Sequence, residues 1–155
     1  MSKSLAAELN ALSIHQDDFY HSDEYIFSRG LSWDHTLAIK WDEIRENINA
    51  SESENIIFEG TMVADQLIGM DKESSFLDER WEAKAIWLDV DKETAKTRRT
   101  SRTDYEVADP PGYFEEKVWP LSCEKKKLAR ERNILLFKQH EKMYIKKAIH
   151  DFYLH

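Results

Sequence analysis

The residues best suited to chemistry lie in Ser13-Ile-His-Gln-Asp-Asp-Phe-Tyr20, where two adjacent carboxylates, Asp17 and Asp18, follow a short apolar step. No Gly or Pro interrupts the passage. The simplest expectation is a brief buried strand whose C-terminal end presents the carboxylates to a crevice. In open α/β sheets that is the end at which ligands bind. Side chains alternate along a strand, so Asp17 and Asp18 are expected to face opposite ways and to do different jobs. Asp after a strand also serves turns and helix caps, and that reading stands beside the functional one.

Three further groups have chemical potential. Glu59 closes the apolar run Asn55-Ile-Ile-Phe-Glu-Gly60. A carboxylate at a strand end can hold Mg²⁺ directly or through water in phosphate transfer, or it can be a turn residue before Gly60. Trp33-Asp34 places an aromatic beside a carboxylate, which suits stacking on a base and accepting from ribose hydroxyls. Asp34 also stands where a helix N-cap would. Arg98-Arg99-Thr-Ser-Arg102 is the densest basic cluster of the chain. Guanidinium forks match phosphate oxygens bidentately. Cations at a helix C-terminus also complement its dipole, which accounts for one arginine but not for three.

The elements that must position these groups are read from periodicity. Leu5, Leu9 and Leu12 share a helical face after Ser2 or Ser4 as cap. A strand is expected at 13–15. The stretch His21 to Ser32 reads as polar and turn-like, with Tyr25, Ile26 and Phe27 as an apolar island. Leu37, Trp41, Ile44 and Ile48 mark the clearest helix, opened by Asp34. Strands are expected at Asn55 to Gly60, Ala83 to Leu88 and Asn133 to Phe137. The one at Asn55 to Gly60 has three apolar residues in a row, as in a strand covered on both faces. A short helix is expected from Met62 to Ile68, and another from Asp91 to about Arg102. The Asp-Pro-Pro-Gly passage at 109–112 must be a loop. Helical spacing resumes from Tyr113 to Pro120, a charged helix runs on to Arg132, and a last helix from about Glu141 buries Ile145, Ile149 and Phe152. Alternating strands and helices indicate an α/β fold with a parallel sheet.

Composition bounds the rest. The chain has 155 residues, enough for a single domain with a core. Its 30 acidic and 22 basic residues give a net charge of −8. That argues against general binding to nucleic acid or to anionic membranes, since both need a basic face. Cys123 is the only cysteine, which excludes an intramolecular disulfide and a cysteine metal cluster. No apolar run approaches the ~20 residues of a membrane span, and Met1 to Leu12 lacks the features of a secretory signal. A cytoplasmic or nuclear setting is the expectation.

Gln16-Asp-Asp-Phe-Tyr20, Trp33-Asp34, Ile57-Phe-Glu-Gly60, Arg98-Arg99-Thr-Ser-Arg102 and Asp109-Pro-Pro-Gly-Tyr-Phe-Glu-Glu-Lys-Val-Trp-Pro120 together resemble the nicotinamide riboside kinases. These are P-loop nucleoside kinases related to uridine kinases. The resemblance runs in order over about Lys3 to Trp119. The Pro-Pro-Gly motif is specific to it, whereas the Asp-Asp-Phe and Glu-Gly motifs fit uridine kinases equally.

The resemblance implies a single nucleoside-kinase domain over 1–155 with a parallel sheet flanked by helices. Its substrates would be a small-molecule nucleoside and ATP, with Mg²⁺ as cofactor. Asp17 would be the base at the 5′-hydroxyl and a Mg²⁺ ligand. Asp18, Tyr20, Trp33 and Asp34 would line the nucleoside pocket, and Glu59 would support the metal. Arg98, Arg102 and Thr103 would face ATP from a lid spanning about 98–112. Arg99 and Tyr105 would reach the nucleoside, and Lys138 and His140 would lie near the adenine. Lys3 and Ser4 resemble the end of a Gly-x-x-x-x-Gly-Lys-Ser/Thr phosphate loop, with Ser4 as a further Mg²⁺ ligand.

The chain departs from that family at its start. No glycine occurs before Gly30, so the glycine cradle and the first strand are missing from this sequence. In the family that strand is the middle one of five, between those expected here at Asn55 and Ala83. The expectation is therefore a truncated form with little kinase activity and marginal stability. The alternative is a non-catalytic module that keeps a nucleoside- or protein-binding surface.

Overall fold

The computed structural model describes residues 2–63, 77, 79–102, 109–138 and 140–153. Its contacts divide the chain into two compact units, Met1–Ala83 and Lys84–His155. The chain is mixed α/β, with small parallel sheets flanked by helices.

In the first unit, α1 (Ser2–Glu8) leads through a tight turn into β1 (Leu12–His15). Asn10 takes a positive φ of 48° in that turn, a conformation Asn tolerates better than most residues. β1 pairs in parallel with β2 (Ile56–Glu59), with Leu12 opposite Ile56 and His15 opposite Glu59. Alternation gives the sheet two different faces. Ile14 turns into a core with Ile39, Ile44, Ile48 and Met62, against which Leu12, Ile56 and Phe58 pack. The other face carries Ser13, His15, Ile57 and Glu59.

Between the strands lie α2 (Asp23–Ser28) and α3 (Trp41–Ala50). The segment expected to be turn-like therefore holds a helix. Ser22 caps it by accepting from the Tyr25 N–H at 3.3 Å, and its apolar island exists because Ile26 is fully buried. The long helix starts later than its periodicity suggests. Residues 36–38 form a 3-10 turn capped by His35, and the backbone then bridges Tyr20 to Ile39 before α3 begins. Leu37 is consequently outside the helix and 60 % exposed. Asp34 is not its N-cap.

In the second unit, β3 (Ile86–Asp89) pairs in parallel with β4 (Leu135–Lys138). Between them run α4 (Lys92–Thr100), a π-helical turn (Phe114–Val118) and α5 (Trp119–Glu131). α6 (Lys142–Tyr153) closes the chain, with Ile145 buried and Ile149 half-buried. The side chain of Phe152 and most of the helix expected at 62–68 lie outside the described residues. Asp91 caps α4, its two oxygens accepting from the Thr94 N–H at 2.9 Å and the Thr94 hydroxyl at 2.8 Å. Those bonds hold its carboxyl below the usual carboxylate range. Pro120 does not stop a helix. It follows the π-helical turn, at the start of α5.

Among the described residues the strands form two two-stranded sheets, and no pair joins β2 to β3. The strands are half-buried rather than covered on both faces.

Gln16 fixes the exit from both strands of the first unit. It is 1 % exposed, and its Oε1 accepts from the Met62 N–H at 2.8 Å, just past β2. A Cβ at Gly60 would overlap the Cβ and Oε1 of Gln16. Gly60→Ala is therefore expected to destabilise the protein by about 1–3 kcal/mol, the usual cost of overpacking. Urea denaturation checks it. A midpoint unchanged from the native protein would show that Gln16 and Gly60 do not constrain each other.

Candidate functional site

The carboxylates singled out by the sequence sit where β1 ends, but not on the strand. β1 stops at His15, and Gln16–Phe19 forms a 3-10 turn. Successive side chains there are about 120° apart, so the alternation expected for Asp17 and Asp18 does not apply. Both are solvent-exposed, while Gln16 before them is buried and Phe19 after them packs on the core.

Two backbone bonds turn the chain after this point. The Lys40 N–H donates to the Phe19 carbonyl and the His21 N–H to the Ala38 carbonyl, each at 2.8 Å. They bring the loop at 30–38 back against Tyr20. Gly30 permits the turn with a φ of 66°. The result is an aromatic row. Trp33 meets Tyr20 edge-on at 5.8 Å between ring centroids, and Phe27 edge-on at 5.7 Å. Edge-to-face pairs of this kind fix ring planes. Trp33, Asp34 and Tyr20 are half-buried, and Phe27 is 51 % exposed.

At the end of β2, Glu59 lies directly opposite His15. Its Oε1 accepts from His15 Nδ1, and His15 Nε2 in turn meets the Ser13 hydroxyl at 3.1 Å. Thus Asp17, Asp18, Glu59, Tyr20, Trp33 and Asp34 all belong to the first unit, around the C-terminal ends of β1 and β2. Lys3 and Ser4 are exposed on α1, where the Ser4 hydroxyl donates to Glu8 at 3.3 Å. A shallow polar depression lined by Leu9, Asn10 and Glu52 to Asn55 lies at the opposite ends of the strands.

The basic residues belong to the second unit. Arg98 and Arg102 are exposed at the end of α4. Arg99 is turned inward. Its Nε donates to Asp109 Oδ2 at 2.5 Å and its Nη2 to Asp109 Oδ1 at 3.1 Å, with its guanidinium 5.6 Å from the Tyr113 ring centroid. Arg99 is therefore committed to the Pro-Pro-Gly motif here. Lys96 and Glu115 add a second ion pair between the same segments. Lys138, the last residue of β4, and His140 are exposed. Thr103 and Tyr105 lie outside the described residues.

Sequence reasoning passed over His15, Gln16, Phe27 and Asp109. The pairing of His15 with Glu59 is across strands 44 residues apart, a separation that no local pattern reveals. Asp109 stands at the head of the Pro-Pro-Gly motif, but its pairing with Arg99 is not visible in that motif. Among the described residues no three His, Cys, Asp or Glu side chains gather as a metal cluster. No model of a known protein family matches the chain, and no curated protein matches it.

The Lys96–Glu115 pair makes a pH signature. The hydrogen bond and charge of Lys96 hold Glu115 below its ordinary 4.5, and those of Glu115 hold Lys96 above its ordinary 10.5. A lowered acid contributes stability above its unfolded value and loses it as pH falls; a raised base loses it as pH rises. The pair is thus expected to stabilise between about pH 4.5 and 10.5. Glu115→Gln should lower the Tm inside that window and leave it unchanged at pH 2. An equal offset at every pH would assign Glu115 a packing role instead.

Proposed function

We propose that the chain is built on a nucleoside-kinase plan and that its first unit binds the nucleoside. On this reading the reaction of the lineage is ATP-dependent phosphorylation of the 5′-hydroxyl of nicotinamide riboside, giving nicotinamide mononucleotide. The observation that carries it is the Tyr20–Trp33 pair beside exposed Asp17 and Asp18 at the end of a parallel strand. The parallel pairing of β1 with β2 and of β3 with β4 also supports it.

Each residue then has a task. Trp33 offers its face to the base, and a cationic pyridinium gains further from an aromatic face. Asp34 accepts from the ribose hydroxyls. Asp17 takes the proton of the 5′-hydroxyl as that oxygen attacks the γ-phosphorus; the bond from γ-phosphorus to the bridging oxygen breaks, and ADP leaves. Hard oxygen donors suit Mg²⁺, which is usually held by one or two protein carboxylates plus phosphate and water. Asp17 and Glu59 fit that donor set, and the ion would supply charge neutralisation at the phosphates.

A second reading is a nucleoside-binding module without catalysis, which the oriented aromatic row of Tyr20, Trp33 and Phe27 would serve equally.

Calorimetry with nicotinamide riboside, and with uridine for comparison, separates these possibilities. Binding of nicotinamide riboside is expected, weakened at least tenfold by Trp33→Ala. Phosphorylation of nicotinamide riboside by Mg·ATP is expected on the first reading, where Asp17→Asn should lower kcat by at least ~10²-fold and Asp18→Asn by much less; binding without phosphorylation would leave the second reading. No binding of either nucleoside would remove the nucleoside-pocket assignment.

A further inference from the structure

Phe27 enters the aromatic row through the way α2 closes. Ile26 turns fully inward, and Phe27, about 100° further round the helix, turns outward. The helix then stops in two backbone bonds. The Gly30 N–H donates to the Phe27 carbonyl at 3.0 Å, and the Leu31 N–H to the Ile26 carbonyl at 3.1 Å. This double cap needs a left-handed residue between its two donors and the helix, and Gly30 supplies it with a φ of 66°. The reversal brings Trp33 back against Phe27, their rings 5.7 Å apart and near-perpendicular at 81°.

The aromatic residues of the first unit are not all held alike. Tyr20 packs on the core and is bridged to Ile39, so its place is set without Trp33. Trp41 packs on the same core and donates its indole N–H to the Thr36 carbonyl at 2.8 Å. Among the described residues, Trp33 and Phe27 are not part of that packing. Two edge-on rings, Tyr20 and Phe27, flank the Trp33 indole instead. Phe27 itself is 51 % exposed and gains little from burial.

We propose that Phe27 is a positioning residue that fixes the plane of Trp33 for a ligand ring stacked on it. This rests on the reading of Tyr20 and Trp33 as a nucleoside pocket. A tryptophan touched by one ring keeps freedom to turn. A second ring near 90° to it removes that freedom, because edge-to-face pairs set both separation and angle. A ligand that must order the indole for itself binds about three- to tenfold more weakly. Leu at position 27 keeps apolar bulk but presents no ring, whereas Tyr keeps the ring.

The test compares Phe27→Leu with Phe27→Tyr in the full chain. Calorimetry with nicotinamide riboside reads affinity, and thermal unfolding reads stability. The heteronuclear NOE of the Trp33 indole N–H reads its order with no ligand present. Phe27→Leu should weaken binding about three- to tenfold, lower the Trp33 NOE and leave the Tm at its native value. Phe27→Tyr should match the native chain in all three. Native affinity or an unchanged NOE in Phe27→Leu, with weak binding in Trp33→Ala, would overturn the positioning role alone. Equal losses in both Phe27 variants would do the same, as would a loss of affinity that accompanies a fall in Tm. Native binding in Trp33→Ala would overturn the pocket reading itself, and the positioning role with it.

Discussion

The first unit depends on one parallel register, His15 opposite Glu59. It places a histidine and a glutamate at the same height on neighbouring strands. It also places the next residue, Gln16, against Gly60. Because no side chain projects from Gly60, Gln16 can fold under the end of β2 and bind the backbone of Met62. The chain must then leave β1 in a tight 3-10 turn, which exposes Asp17 and Asp18. A slip of one residue would send His15 and Ser13 into the core and bring Ile14 out of it. The large apolar side chains Ile14, Ile44 and Met62, each nearly fully buried, oppose that slip.

The aromatic row follows from the same exit. Tyr20 pairs with Ile39 because the turn at 16–19 directs the chain across the start of α3. Trp33 is then held edge-on between Tyr20 and Phe27, with two ring contacts to fix its plane. A ligand that stacks on Trp33 finds the ring already oriented, which lowers the ordering cost of binding. In the second unit the corresponding constraint is ionic. Arg99 grips Asp109 with two bonds while Lys96 reaches Glu115. These contacts tie α4 to the segment around Tyr113.

Much of this was legible in the sequence. The four strands, α3 and the last helix stand out through apolar spacing, and Asp91 through its capping chemistry. What was not legible depends on long-range pairing. The helix at 23–28 is hidden because only Ile26 of its residues is fully buried. The delayed start of α3 comes from a backbone bridge to Tyr20, which competes with the helical periodicity of Leu37. The roles of His15 and Gln16 arise from contacts with residues 59, 60 and 62, and no reading of neighbours in sequence could assign them. The candidate carboxylates were found by type, but their geometry was not, since the strand ends two residues before Asp17.

The central claim is that a nucleoside is held at the C-terminal ends of β1 and β2. The most direct measurement is the amide and indole NMR spectrum of the chain as nicotinamide riboside is added. The account predicts saturable shifts confined to residues 16–20, the Trp33 indole N–H and Asp34. Shifts concentrated elsewhere, or a spectrum indifferent to the nucleoside at millimolar concentration, would contradict it.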